Sequence, residues 1–309
     1  MSAYPLQGRV LFITGGGSGI GAETARRAAA KGAHLALVDV DGDAATRLAE
    51  SLPNAIGIQA DVRDYESLEA AAQQTVETFG GIDITFANAG IEIAHTARGV
   101  PLVEMERIAD INFTGVFRTV RATLLYVIER HGYVLITASL AAVLHGPPLS
   151  HYVATKAGVE AFGDSIRMEL RHKGVDVGVA YFGFIDTPMV ARGKSDPILA
   201  QFEAEQGQNF IGRTYPLSGA VNAVIKGMEG RVRRVLYPRW IRPLMVLRSA
   251  MPRFLDRAID GDMVARMADA LDDRDLNRGD ANDPSREFHE RVLAQNEQSG
   301  QTEQDRLLS

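Results

Sequence analysis

Short apolar runs alternate along the chain with longer stretches in which apolar residues return every three or four positions. RVLFIT (9–14), HLALVD (34–39), AIGIQA (55–60), DITFAN (83–88), YVLIT (133–137) and DVGVAYF (176–182) are almost unbroken in their hydrophobicity. A strand with one face in water alternates apolar with polar residues, so unbroken runs predict strands covered on both faces, as in a parallel sheet. Helical spacing fills the gaps at 19–31, 43–51, 64–79, 102–129 and 151–172, and RRVLYP (233–238) supplies a seventh strand. Within 64–79, Tyr65, Leu68, Ala72, Val76 and Phe79 share one helix face and are core residues. The expected architecture is α/β: a doubly wound, seven-stranded parallel sheet with helices on both faces and a C-terminal helical extension. There is no internal repeat and no low-complexity tract.

From about residue 190 the alternation breaks down, and from 260 onward the chain holds six Arg against thirteen Asp or Glu, a net of −7. Residues 1–258 are therefore expected to form one domain, and 259–309 a polar, acidic, weakly ordered tail. The 309 residues are 46% hydrophobic, enough for a large core, and carry a net charge of −6. No global basic excess argues for nucleic acid as a partner. The chain has no cysteine, which removes disulfides and cysteine-based redox or metal chemistry, and no metal motif stands out. MSAYPLQGRV lacks the cationic start and apolar stretch of a signal peptide, so a cytoplasmic protein is expected. Residues 132–155 contain no Asp, Glu, Lys or Arg, but Pro147, Pro148 and two histidines read as a buried strand followed by a loop.

Chemistry enters with SHYVATK (150–156). Tyr152 and Lys156 stand four residues apart, one helical turn, so a phenol and an ammonium share a face. At ~5.5 Å and an effective dielectric of about 20 their attraction is roughly 3 kcal/mol, on the order of two pKa units, enough to make a tyrosine a usable base. The same spacing also arises by chance on amphipathic helices. A second signal is TGGGSGIG (14–21), between the first strand and a helix, the context in which a glycine loop binds a dinucleotide. Gly15, Gly19 and Gly21 permit the tight turn and close backbone approach, with Ser18 and Ile20 between them, and the helix N-terminus offers N–H groups to a pyrophosphate. Asp39 ends the second strand, eighteen residues beyond Gly21, where its carboxylate can hold ribose hydroxyls; it can also be an ordinary turn residue before Asp41 and Gly42. A 2′-phosphate there meets like charge at about 4 kcal/mol per pair at ~4 Å, and Ser18 offers no basic side chain to offset it, which favours NAD over NADP.

TGGGSGIG, NAG (88–90) and YVATK (152–156), in this order and at these separations, resemble the short-chain dehydrogenase/reductase family in its single-domain branch, with a Rossmann fold. The resemblance is close over residues 6–190 and loose over 215–240. It implies that Asp61 and Val62 hold the adenine, that Asn88 and Gly90 line the cofactor, and that Ile185 and Thr187 meet the nicotinamide amide. It also implies a catalytic tetrad of Asn112, Ser139, Tyr152 and Lys156. Ser139 would hold the substrate oxygen, and Tyr152 would take the hydroxyl proton or return it. Lys156 would lower the phenol and bind the nicotinamide ribose. Asn112 would order a water that passes protons to Lys156; it can equally be a buried amide satisfied by backbone. Ala87 before Asn88 and Phe182 before Gly183 depart from the family's Asn-Asn and Pro-Gly, and the second departure bears on loop stiffness. His145 and His151 flank the catalytic stretch without an assigned role.

The expected function is NAD-dependent interconversion of a secondary alcohol and a ketone on a moderately apolar substrate. The alternatives are an NADPH-type reductase of β-keto thioesters and a cofactor-binding regulator without turnover. Residues 190–215 are the expected substrate lid, and the resemblance implies a homodimer or homotetramer. The segment 231–257 has eight Arg and one Asp. On a helix Trp240, Leu244, Leu247, Met251, Phe254, Leu255 and Ala258 fall on one side, opposite Arg239, Arg242, Arg253 and Arg257, with Pro252 as a kink. It can cover the substrate mouth, a neighbouring subunit, or, through 239–258, an anionic membrane surface.

Overall fold

A strand buried on both faces sends alternate side chains to opposite cores, and β1 (Val10–Thr14) does so, with Leu11 and Ile13 in one cluster and Phe12 in the other. The computed structural model describes residues 4–206, 212–248 and 261–278. Its sheet comprises β1, β2 (His34–Asp39), β3 (Ala55–Gln59), β4 (Ile84–Ala87), β5 (Tyr133–Thr137), β6 (Asp176–Phe182) and β7 (Arg234–Tyr237), in the order β3-β2-β1-β4-β5-β6-β7. Every neighbouring pair is parallel. On one face pack α1 (Gly19–Ala29), through Ala25 and Ala28, and α9 (Leu217–Gly230), through Val221 and Val224. On the other lie α3 (Tyr65–Phe79), α5 (Gly115–Glu129) and α6 (Ser150–Leu170), with Leu68, Val120 and Val159 against the strands. The chain winds outward from β1 to β3 and then crosses to β4, so a crevice opens between β1 and β4 at their carboxyl ends, where doubly wound sheets bind ligands.

Three expectations are corrected. The helix over 102–129 is interrupted: α4 (Leu102–Ala109) and α5 are joined by a π-helical turn, Asp110–Thr114. Asn112 sits in that turn with its side chain bonded to the backbone of Ile91, the kind of local demand that distorts a regular helix.

The acidic tail is also not uniformly weak in structure. Gly261–Arg278 forms a helix, here α11, whose Met263, Met267 and Leu271 pack with Phe202 of α8 (Pro197–Gln206) in a separate small core. Average acidity concealed three apolar residues four apart, and two of the acids, Asp272 and Asp275, are themselves buried.

The third correction concerns the basic segment. In α10 (Ile241–Leu247) it is Ile241, Leu244 and Met245 that meet the core, whereas Leu247, assigned to the apolar stripe, is 56% exposed. The helix begins only after the Pro238 turn and is fixed by the indole of Trp240, which donates to Tyr215 Oη at 2.8 Å. Two arginines of the basic segment meet α6: Arg248 pairs with Glu160 at 2.7 Å and Arg234 with Asp164 at 2.5 Å. Met251, Pro252, Arg253, Phe254, Leu255, Arg257 and Ala258 lie outside the described residues. Among the described residues no helix is long and apolar enough to cross a membrane.

Candidate active site

The loop after β1 is shaped by close backbone approach. Gly15 has φ +65°, and a side chain on Gly21 would place its Cβ 2.1 Å from the Gly15 carbonyl oxygen, so only glycine lets α1 start against this turn. Ser18 caps α1 in extended geometry without using its hydroxyl, and no acid stands in the first turn, which leaves a cradle suited to an anion. Asp39, at the carboxyl end of β2, accepts from Gly17 N at 2.9 Å and from Asp41 N at 3.1 Å. Its carboxylate thus stands over the glycine loop, held by main-chain donors. Ile20 and Thr187 line the cavity described below, and Thr187 Cγ2 lies 3.6 Å from a Cβ position built on Gly19. Thr187 caps α7 (Pro188–Lys194), and Ile185 before it is buried and bridges to Tyr215.

Other cofactor candidates are more occupied by their own surroundings. The Asn88 amide donates to Thr14 O at 3.2 Å and accepts from Thr137 Oγ1 at 3.3 Å, tying β1, β4 and β5 together. Asp61 is bound by Arg63, with a contact of 2.6 Å, and that hydrogen bonding holds its carboxyl below the usual range. Val62 is buried next to Gly115. Gly90 passes beside the Asn112 amide and the Lys156 ammonium.

Ser139 lies just past β5, and Tyr152 and Lys156 occupy the first two turns of α6, so the end of one strand meets the start of one helix. Lys156 Nζ donates to Thr137 O at 3.1 Å and stands 5.6 Å from the centre of the Tyr152 ring. The phenol is not lowered on balance as the spacing suggested, because burial outweighs what the ammonium can supply. Burial, reinforced by Glu92, pushes Tyr152 up, and hydrogen bonding with Ser139 pulls the other way. Burial also draws Lys156 down to about 8, against the opposing pull of Glu92, so the cation is itself close to titrating. Burial therefore favours the neutral phenol at Tyr152. Asn112 Oδ1 accepts from Ile91 N and its Nδ2 donates to Ile91 O, both at 2.8 Å; its side chain is satisfied by backbone, the second of the two readings left open.

Above Ser139 and Tyr152 opens a cavity of about 410 Å³. Its walls are largely apolar, with Leu144, Val153, Phe182, Phe184, Met263 and Met267. Two features here escaped the sequence reading. The first is α11, which supplies both methionines and is pinned to residues 94–98: Asp275 meets His95 at 2.7 Å, Asp272 meets Arg98 at 3.5 Å and Thr96, and Arg274 donates to Ala94 O at 2.9 Å. The signal was the four-residue spacing of Met263, Met267 and Leu271. The second is Glu92, the one charged residue between Asp83 and Arg98, which lines the cavity beside Ser139 and Tyr152. Of the two unassigned histidines, His151 is buried and tied to Ile93 O at 2.8 Å, with burial holding its ring below the usual range; His145 lines the cavity. Among the described residues no cluster of three or more His, Cys, Asp or Glu can hold a metal.

Known proteins resemble this chain. The family model for short chain dehydrogenases matches residues 9–197. A 3beta-hydroxysteroid dehydrogenase 1 from Eggerthella lenta is 31% identical over 199 residues, 62% of this chain and 76% of that one. A (-)-trans-carveol dehydrogenase from Rhodococcus erythropolis is 34% identical over 204 residues, 60% of this chain and 74% of that one. Among solved structures, a 3-ketoacyl-(acyl-carrier-protein) reductase from Brucella melitensis complexed with NADH superposes with a TM-score of 0.66 at 26% identity, covering 76% of this chain and 99% of that one. The family model spans the whole run from β1 through the end of α7, which carries the glycine loop, Ser139, Tyr152 and Lys156, and with these relatives it establishes an oxidoreductase acting on CH–OH groups: the chain belongs to the short-chain dehydrogenase family.

Proposed function

We propose that the protein interconverts a secondary alcohol and a ketone with NAD rather than NADP, on a moderately apolar substrate, with Tyr152 as general acid and base. The observation that carries this is the position of Ser139 and Tyr152 at the floor of an apolar cavity whose rim, at Ile20 and Thr187, is also the rim of the glycine-loop crevice. The crevice fits the dinucleotide because Gly21 clears the turn, the start of α1 is free of acids, and Asp39 presents a carboxylate where adenosine ribose hydroxyls can donate. Gly15, Ser18, Gly19, Ile20, Gly21, Asp39, Asp61, Val62, Asn88, Gly90, Ile185 and Thr187 would hold the cofactor, which when bound supplies the acceptor or donor of hydride. Ser139 Oγ holds the substrate oxygen, and Tyr152 Oη gives that oxygen a proton in reduction and takes it in oxidation. Lys156 keeps a positive charge below the phenol, and Asn112 fixes the Ile91 backbone beside them.

The steroid and carveol named for two relatives are the kind of substrate the walls of this cavity suit. Because Tyr152 rests as a neutral phenol, reduction should proceed at neutral pH while oxidation gains as pH rises. We place the enzyme in the cytoplasm and read it as a homo-oligomer of two or four copies. Phe117 and Leu125 of α5 and Met168 of α6 are exposed on the helices where a second copy would dock. Absorbance at the NADH band, with sterols, terpenoid alcohols, long-chain alcohols, sugars and an acetoacetyl thioester, tests the reading. Turnover with NAD and a cyclic alcohol is expected. Equal efficiency with NADP would remove the cofactor half of the proposal, preference for the thioester would favour the β-keto reductase, and binding without any turnover would favour the regulator.

A further inference from the structure

Residues 88–96 form the loop between β4 and the substrate cavity, and nearly every polar group along it is tied down. Asn88 braces three strands, both main-chain polar groups of Ile91 are held by Asn112, and the Ile93 carbonyl accepts from His151. The Ala94 carbonyl accepts from Arg274, His95 meets Asp275, and Thr96 meets Asp272. Glu92 is the exception: no group among the described residues hydrogen-bonds its half-buried carboxyl. It lines the cavity above Tyr152 and Ser139, and it also borders a second cavity of about 390 Å³, whose lining includes His95, Arg192, Asp196 and Arg274. The nearby Lys156 ammonium balances its charge but no donor hydrogen-bonds it, so the half-buried carboxyl keeps its acceptor positions open to a ligand in the cavity. What it faces is the end of a largely apolar pocket where Ser139 and Tyr152 stand.

We propose that Glu92 determines specificity by accepting a hydrogen bond from a second hydroxyl of the substrate, so that the enzyme prefers cyclic diols and hydroxyketones to simple alcohols of the same ring. The inference rests on the dehydrogenase reading above and adds the substrate class to it. The donor is a neutral hydroxyl rather than an ammonium, because the buried Lys156 cation already acts on Glu92, and a second cation would have to shed its water among Leu144, Val153, Phe182 and the two α11 methionines. The hydroxyl next to Tyr152 reacts and the second one, reaching Glu92, fixes which carbon is presented.

The test compares cyclohexanol with the 1,2-, 1,3- and 1,4-cyclohexanediols under NAD, for the full chain and for Glu92→Gln and Glu92→Leu. The readout is the ratio of kcat/KM for the best diol to that for cyclohexanol. A pocket built to pair a hydroxyl discriminates strongly against an analogue without one, so the wild-type ratio should be about tenfold or more, carried mainly by KM. Glu92→Leu should collapse it to near one. Glu92→Gln, which keeps an acceptor oxygen and nearly the same shape, should retain most of it. A wild-type ratio near one, or a ratio unmoved in Glu92→Leu, overturns the assignment. A parallel loss on all four alcohols in both variants also overturns it, assigning Glu92 instead to support of Lys156 and Tyr152. Turnover of cyclohexanol without diol preference leaves the dehydrogenase reading standing, whereas no turnover of any alcohol overturns both. Melting temperatures with and without NAD show that each variant is folded.

Discussion

The two halves of the site are built differently. The glycine-loop half is made of main chain: Asp39 reaches Gly17 N across 22 residues, and the crevice exists because strand order reverses between β1 and β4. The substrate half is made of side chains brought together across the whole chain, with His95 and Thr96 meeting Asp275 and Asp272 over 180 and 176 residues. Glycines and strand ends are constrained by geometry that few residues can satisfy. A wall of methionine, phenylalanine and leucine can be assembled from many sequences, so it leaves a fainter mark.

That contrast predicts separable losses. The deepest cut should come from Tyr152→Phe, which removes the proposed proton carrier and keeps the ring. Turnover should fall about a thousandfold while NADH affinity, measured by fluorescence titration, stays within about twofold. A variant retaining a tenth of wild-type turnover would show that another group moves the proton. Next in size is the cofactor half: Asp39→Ala with Ser18→Arg should shift the NAD/NADP preference about tenfold or more toward NADP, without changing which alcohols are used. Unchanged preference by calorimetry would mean that Asp39 serves only Gly17 and the turn.

Loosening the substrate half should give the mirror result. Arg274→Ala frees α11 from Ala94 and Asp196, and KM for apolar alcohols should rise about tenfold with NADH affinity unaltered. If both affinities fall together, the two halves are not independent. The smallest effect concerns stability. The folded pKa of Lys156 is depressed to about 8 from an ordinary 10.5, so below pH 8 the cost of burying its charge is fully present. Between 8 and 10.5 the unfolded chain holds a proton that the folded one has released, and wild-type stability gains with pH. Lys156→Met lacks that gain, so melting temperatures at pH 7 and 9.5 should move in favour of the wild type as pH rises.

Strands were legible because a strand facing two cores cannot alternate: Leu11 and Ile13 point one way and Phe12 the other, and all must be apolar. The glycine loop, Asp39, Ser139 and the Tyr152–Lys156 pair were legible for the same reason, since each occupies a defined place at the end of a strand or the start of a helix. The protonation balance was not, because spacing gives Lys156 a neighbour but says nothing of how much water is lost around both groups. The π turn at Asn112 depends on the backbone of Ile91, 21 residues away, and no local pattern announces it. Likewise α11 was hidden in an acidic average, and its buried acids are intelligible only once His95, Thr96 and Arg98 stand opposite.

The wall contributed by α11 has a consequence in time. A ribosome releases the chain from its first residue onward, so β1 through β7 are outside the exit tunnel and free to pair before Met263 and Met267 emerge. The nascent enzyme thus has its nucleotide crevice assembled while the alcohol pocket still stands open on one side. Divergence follows the same seam: drift in α11 can reshape what the pocket admits while the sheet that carries the glycine-loop crevice is left as it was.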